Sequence, residues 1–362
     1  MRFVLAPLPA LLAAVAIAQE PQPIDAETYV PITPVFRANP SYPTRALQYG
    51  NEGWVMLSFI VSETGAVEEP MIEDSSGVEA FEQAALGAIR NWRYTPATVN
   101  GKPVAQSMVK TKIVFALEGP AKGVTREFQG AYRKIRQLLD AGDYAAAKPL
   151  LEELEIGGRH NLYEDALFWA LQYGYLEGVQ STDADEKRRA LELAFGYQAD
   201  DYLPADMLVA VAQRLYVLQV QAIDFSAARS TFERLRDSPR AKQSSQHARA
   251  LAELSPTYEQ IEQVIAGPQL LPIKAEIGQY DYWVHDLMRR SFSMTNVSGR
   301  VDGVDVRCKQ GTRRYETYPK DAVWQVPESW GECGVYIKGE RGATFTFQEH
   351  PAGTPATPLA RE

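Results

Sequence analysis

Between Gly53 and Leu117 the spacing of apolar side chains switches from two to 3.6 and back, and this switch decides what that stretch can fold into. Val55, Leu57, Phe59 and Val61 recur at every second position, so they share one face of a strand. Glu63-Thr64-Gly65 supplies a turn, and Ala66 to Ile72 reads as the return strand. Phe81, Ala84, Ala85, Ala88, Ile89 and Trp92 then fall on one helical stripe, whose alanines let the helix lie close to a sheet. Ser76 and Glu79 have the spacing of a capping box at its start. Asn100-Gly101 predicts a tight turn between two further strands. In the last strand Val109, Ile113, Phe115 and Leu117 point one way and Lys110 and Lys112 the other, which predicts a solvent face. Upstream, Tyr42-Pro43 opens a short helix that Gly50 closes.

The remainder divides by composition and period. Arg2 precedes an apolar run, Phe3 to Ala18, that ends in the small-x-small pattern Ala16-Ile17-Ala18. It reads as a signal peptide (1–18) cleaved after Ala18, which places the chain in the periplasm; the alternative is a retained inner-membrane anchor. Residues 19–36 read as an extended leader, 37–118 as the first folded unit and 126–265 as an α-helical domain. Residues 280–349 read as a β-rich domain and 350–362 as a flexible tail. In the β-rich part, Ser291–Asn296, Val301–Cys308, Gly311–Tyr318, Val335–Lys338 and Ala343–Glu349 are the expected strands. The whole is α+β and multidomain.

Two cysteines in an exported chain suggest a disulfide, here Cys308 with Cys333. Closing that loop contributes about 3.5 kcal/mol on the chain-entropy view. The helical part contains an echo. Ala141-Gly142-Asp143-Tyr144-Ala145-Ala146-Ala147 is answered by Ala222-Ile223-Asp224-Phe225-Ser226-Ala227-Ala228. Each predicts helix, tight turn and helix, with room for a third unit around Ala166–Phe195. This resembles tetratricopeptide repeats over about 128–260, and a stack of such units could serve as a scaffold.

The first unit resembles a second family more specifically. Tyr42-Pro43, Gly50, Gly53-Trp54-Val55, Gly65, Ser75-Ser76-Gly77, Trp92-Arg93-Tyr94, Pro96-Ala97, Gly101-Lys102-Pro103 and Phe115 stand in the order found in TonB C-terminal domains. The resemblance covers about 37–118. It implies a small antiparallel sheet backed by helices, and a partner in the form of an extended TonB-box-like segment of an outer-membrane transporter or another envelope protein. That segment would add a strand along the border formed by Ser107, Met108, Val109, Lys110, Thr111, Lys112, Ile113, Val114 and Phe115, by β-augmentation. The same lysines could instead merely guard the border, and a second copy could pair there to form a homodimer. The long spacer of energy transducers has no counterpart, because about 18 extended residues span only ~60 Å.

The net charge of -9 argues against nucleic acid as a partner. No Gly-x-Ser-x-Gly, His-Glu-x-x-His or phosphate-loop pattern occurs, and His160, His247, His285 and His350 are far apart. The expectation is therefore a non-enzymatic adaptor without metal or cofactor. The competing reading is a scaffold in which the TonB-like unit is purely structural.

Overall fold

The structure is a computed structural model that describes residues 29–117, 123–157, 161–196, 202–317 and 319–357. The expected signal peptide lies outside the described residues. Part of the expected leader does not: β1 (Tyr29–Val30) pairs with β6 (Ala97–Val99), and β2 (Thr33–Phe36) with β5 (Arg93–Thr95). Those residues therefore belong to the front sheets.

The front unit centres on a three-stranded antiparallel sheet of order β4-β3-β8, from β3 (Gly53–Val61), β4 (Val67–Ser75) and β8 (Gln106–Phe115). Val55, Leu57, Phe59 and Val61 are buried beneath α2 (Glu79–Ile89), against Phe81, Ala85 and Ile89. Gly65, at φ +80°, closes the β3–β4 turn; a Cβ there would lie 1.9 Å from the Tyr94 carbonyl oxygen, so only glycine fits. Asn100 and Gly101 both have positive φ between β6 and β7 (Lys102–Val104), as a tight hairpin turn requires. The capping box does not form. Ser76 accepts from the Trp54 amide at 3.1 Å, and Val78 stands at the N-cap of α2 without a side-chain cap. The short helix α1 (Thr44–Tyr49) ends at Gly50 as expected.

Seven helices follow among the described residues: α3 (Arg126–Asp140), α4 (Tyr144–Gly157), α5 (Leu162–Gly178), α6 (Ala184–Gly196), α7 (Ala205–Gln221), α8 (Phe225–Asp237) and α9 (His247–Ala266). The sequence echo has a geometric cause. Gly142 and Ile223 both turn left-handed at a helix end, and the next aspartate, Asp143 or Asp224, caps the following helix at 3.1 Å. Gln180 makes the same left-handed turn between α5 and α6, but its capping aspartate, Asp183, comes two residues later. Those extra residues hide the third turn from a fixed-spacing reading.

The C-terminal part holds two four-stranded sheets, of order β10-β15-β12-β13 and β14-β11-β16-β9. The strands are β9 (Leu271–Glu276), β10 (Tyr282–Asp286), β11 (Ser291–Ser298), β12 (Val301–Cys308), β13 (Gly311–Tyr315), β14 (Val323–Gln325), β15 (Cys333–Gly339) and β16 (Thr344–His350). Val304, Val306, Val335 and Ile337 of one sheet meet Phe292, Met294, Phe345 and Phe347 of the other in one core. Cys308 and Cys333 are cross-strand neighbours joined by a disulfide. The strand expected over 311–318 stops at Tyr315. The expected free tail is held at Thr357, whose amide donates to the Val323 carbonyl at 2.9 Å.

Candidate strand-addition border

Strand β8 is the last strand of its sheet, with β3 as its neighbour on one side. Which of its backbone groups are open follows from one bond on the opposite side of β3. The Ser76 amide donates to the Trp54 carbonyl at 3.0 Å, so Trp54 turns its backbone groups toward β4. Along an antiparallel strand these groups alternate sides. Gly53, Val55 and Leu57 therefore bond β8, opposite Phe115, Ile113 and Thr111. The same alternation turns the amides and carbonyls of Lys110, Lys112 and Val114 outward.

The border is not uniform. Between the Phe59↔Val109 and Val61↔Gln106 pairs, β8 carries one residue too many, and Met108 adopts φ +58°. This bulge bends the start of the strand. There the C-terminal part makes contact: Ser107 and Thr312 share a hydroxyl hydrogen bond at 2.5 Å. A Cβ on Gly334 would lie 2.9 Å from Met108 Sδ, so glycine permits this approach. Val114, at 37% exposed, marks the open end.

The lysine face is only partly a solvent face: Lys110 is exposed, yet it and Lys112 are both tied to other parts of the chain. Lys110 Nζ lies 2.9 Å from Asp286 of β10 and 3.2 Å from Glu73 of β4. Burial pulls its pKa down, but Glu73 and Asp286 outweigh that and leave it above the usual lysine range. Lys112 donates to the Gly196 carbonyl at 2.7 Å and stands over the Trp54 ring at 5.3 Å. Trp54 itself is 3% exposed and packs into the helical core with Leu193 and Phe195. Burying such a ring contributes roughly 5 kcal/mol of transfer free energy. The buried Tyr336 hydroxyl bonds Ser58 at 3.0 Å and Glu73 at 2.9 Å. Partners from distant parts of the chain, invisible in a local pattern, therefore engage the face that period two assigns to water.

A cleft of about 690 Å³ runs between β8, α6, α8 and β10. Most of its carboxylates are partnered. Glu73 and Asp286 hold Lys110, Asp74 holds Arg189 through two bonds of 2.7 and 3.0 Å, and Asp224 caps α8. Glu192 lies 3.7 Å from Arg188 and 3.9 Å from Arg189. Burial nevertheless pushes its pKa up to about 7 against both arginines. Arg234 donates to the Phe195 carbonyl at 3.1 Å and stacks over the Phe195 ring at 4.4 Å. Desolvation lowers its pKa to about 10. Among the described residues no group of three or more His, Cys, Asp or Glu could hold a metal, and no helix is long and apolar enough to cross a membrane.

Comparison with known proteins places the resemblance on the sheet just described. Residues 38–117 match the family described as Gram-negative bacterial TonB protein C-terminal. The TonB protein of Vibrio cholerae is 37% identical over 83 residues, 23% of this chain and 34% of that protein. The tonB2 protein of Pseudomonas aeruginosa is 37% identical over 78 residues, 22% of this chain and 28% of that one. The chain thus spans about a third of the length of these relatives. Among solved structures, the solution structure of the Pseudomonas aeruginosa TonB C-terminal domain is 27% identical, covers 25% of this chain and 90% of that one, and superposes with a TM-score of 0.23. The match to the TonB C-terminal domain family ends at β8, and residues 38–117 are the part of the chain that carries it.

Proposed function

We propose that the protein is a non-catalytic adaptor of the bacterial envelope that binds an extended segment of a partner by strand addition along β8. One observation carries this reading: β8 ends the β4-β3-β8 sheet, within the stretch that matches TonB C-terminal domains. An incoming strand would pair with the outward backbone groups of Lys110 and Val114. The open length is shorter than Ser107–Phe115, because Ser107 and Met108 already meet the C-terminal part. The partner class is an outer-membrane transporter or another envelope protein with a TonB-box-like segment, and the site of action is the periplasm. Titration calorimetry with TonB-box-type peptides tests this. Heat of binding that vanishes in Val114→Pro supports it, and no heat from the native chain refutes it.

A second reading is favoured by a separate hollow of about 380 Å³ between α3, α5 and α7, lined by Tyr132, Tyr144, Tyr173, Arg136 and Arg214. The recurring left-handed turns support a tetratricopeptide-like stack with this hollow as the working surface of a scaffold. Retention of partner capture by Val114→Pro would transfer the function there.

A further inference from the structure

We infer that the hollow between α3, α5 and α7 is a binding site for a small amphipathic acid, an apolar chain or ring carrying one carboxylate, with Arg214 as the carboxylate partner; this goes beyond the strand-addition reading and does not depend on it. Three observations converge. The first is the order of polarity. Leu171, Leu191 and Val211 form a buried floor, Tyr132, Tyr144 and Tyr173 half-buried walls, and Arg136 and Arg214 an exposed mouth. An apolar bottom beneath a charged rim fits a molecule with an apolar body and a charged head, and about 380 Å³ falls in the range of small-molecule sites. An extended peptide fits less well. The polar side chains lining the hollow are the three tyrosines, Arg136, Asp140 and Arg214, and the buried amides of a peptide would need more partners than these.

The second observation is charge. Among the described residues Asp140 is the one carboxylate lining the hollow, and it lies 3.9 Å from Arg136. Arg214 is left over: no ion pair or hydrogen bond holds it among the described residues. Burial and then Glu177 push the Tyr173 hydroxyl up to about 12 against the pull of Arg214, so this cation stands close to the tyrosine wall. A guanidinium with open donors beside apolar surface selects a planar carboxylate over a neutral head. The third observation is Gly174, which lines the hollow from inside α5. Glycine in a helix interior is unfavourable beside alanine, and here packing does not demand it: a Cβ would meet nothing closer than Leu139 Cδ1 at 3.8 Å. With Ala170 one turn earlier, it keeps the α5 wall low and the hollow open.

The test titrates straight-chain carboxylates, from hexanoate to dodecanoate, and the alcohols of equal length into the full chain by calorimetry, below their micelle concentrations. The best carboxylate should bind saturably and about tenfold tighter than its alcohol. In Arg214→Gln, a change at an exposed position, acid and alcohol should bind alike. Gly174→Leu should fill the hollow and abolish both, with an unchanged circular dichroism spectrum. Val114→Pro should bind the acid as the native chain does. No saturable binding by the native chain, an acid preference that survives Arg214→Gln, binding that persists in folded Gly174→Leu, or binding lost in Val114→Pro would overturn the inference while leaving strand addition standing. Capture of peptides in the hollow but of no acid would also overturn it and return the hollow to the scaffold reading.

Discussion

The Ser76 amide donates to the Trp54 carbonyl at 3.0 Å, and this contact sets which backbone groups of β8, two strands away, face outward. Trp54 bonds toward β4, so its neighbours Val55 and Gly53 bond β8. The outward set is Lys110, Lys112 and Val114.

Proline therefore separates folding from binding. At Val114 it removes an amide that β3 does not use, and an edge strand tolerates that. The melting temperature should fall by no more than a few degrees. At Thr111 proline removes an amide paired with Leu57, and the cost should reach about 3 kcal/mol. Thermal melts of the two variants check this; equal losses would show that the outward set is misassigned.

The front sheet and the C-terminal sheets should stabilise each other through Arg307. This side chain is 2% exposed, bonds the Glu69 carboxylate at 2.5 Å and its carbonyl at 3.3 Å, and lies over the Tyr336 ring at 4.7 Å. Arg307→Leu removes the cation from a buried network and should cost about 3 kcal/mol. Denaturant titration followed by Trp fluorescence should show the loss, and an unchanged midpoint would mean that the contact contributes nothing.

Glu192 gives a pH signature. Its pKa in the folded chain is raised to about 7 by burial, above the ordinary carboxylate value of 4.5. The folded state therefore holds the proton where the unfolded state has released it. Its contribution to stability is fully present below about pH 4.5 and is lost as pH rises through about 7. Melting temperatures from pH 4.5 to 8 should decline less steeply in Glu192→Gln than in the native chain. An unchanged slope would show that the carboxyl titrates normally.

Reducing the Cys308–Cys333 disulfide should destabilise the C-terminal part by about 3.5 kcal/mol, because it frees a loop of 25 residues in the unfolded chain. Calorimetry with and without reductant measures this. The same midpoint in both would place the stability of that part in the two-sheet core alone.

The front unit was legible because its order is local. Period two in Val55 to Val61, period 3.6 in Phe81 to Ile89 and the Asn100-Gly101 turn each act within a few residues. The disulfide pairing was legible because only two cysteines exist. Long-range partners were not. Lys110 and Lys112 look like solvent-facing lysines until Asp286 and Gly196 arrive from distant parts of the chain. Ser76 resembles a helix cap, yet it bonds Trp54. Strands β9, β10 and β14 escaped notice because Pro272 interrupts the first, the second lacks alternation and the third spans three residues.

The most direct measurement is calorimetric titration of TonB-box-type peptides into the native chain and Val114→Pro, both checked for folding by circular dichroism. Saturable binding to the native chain that is lost in the folded variant is the expected result. Equal binding to both chains, or none to the native one, would contradict strand addition along β8.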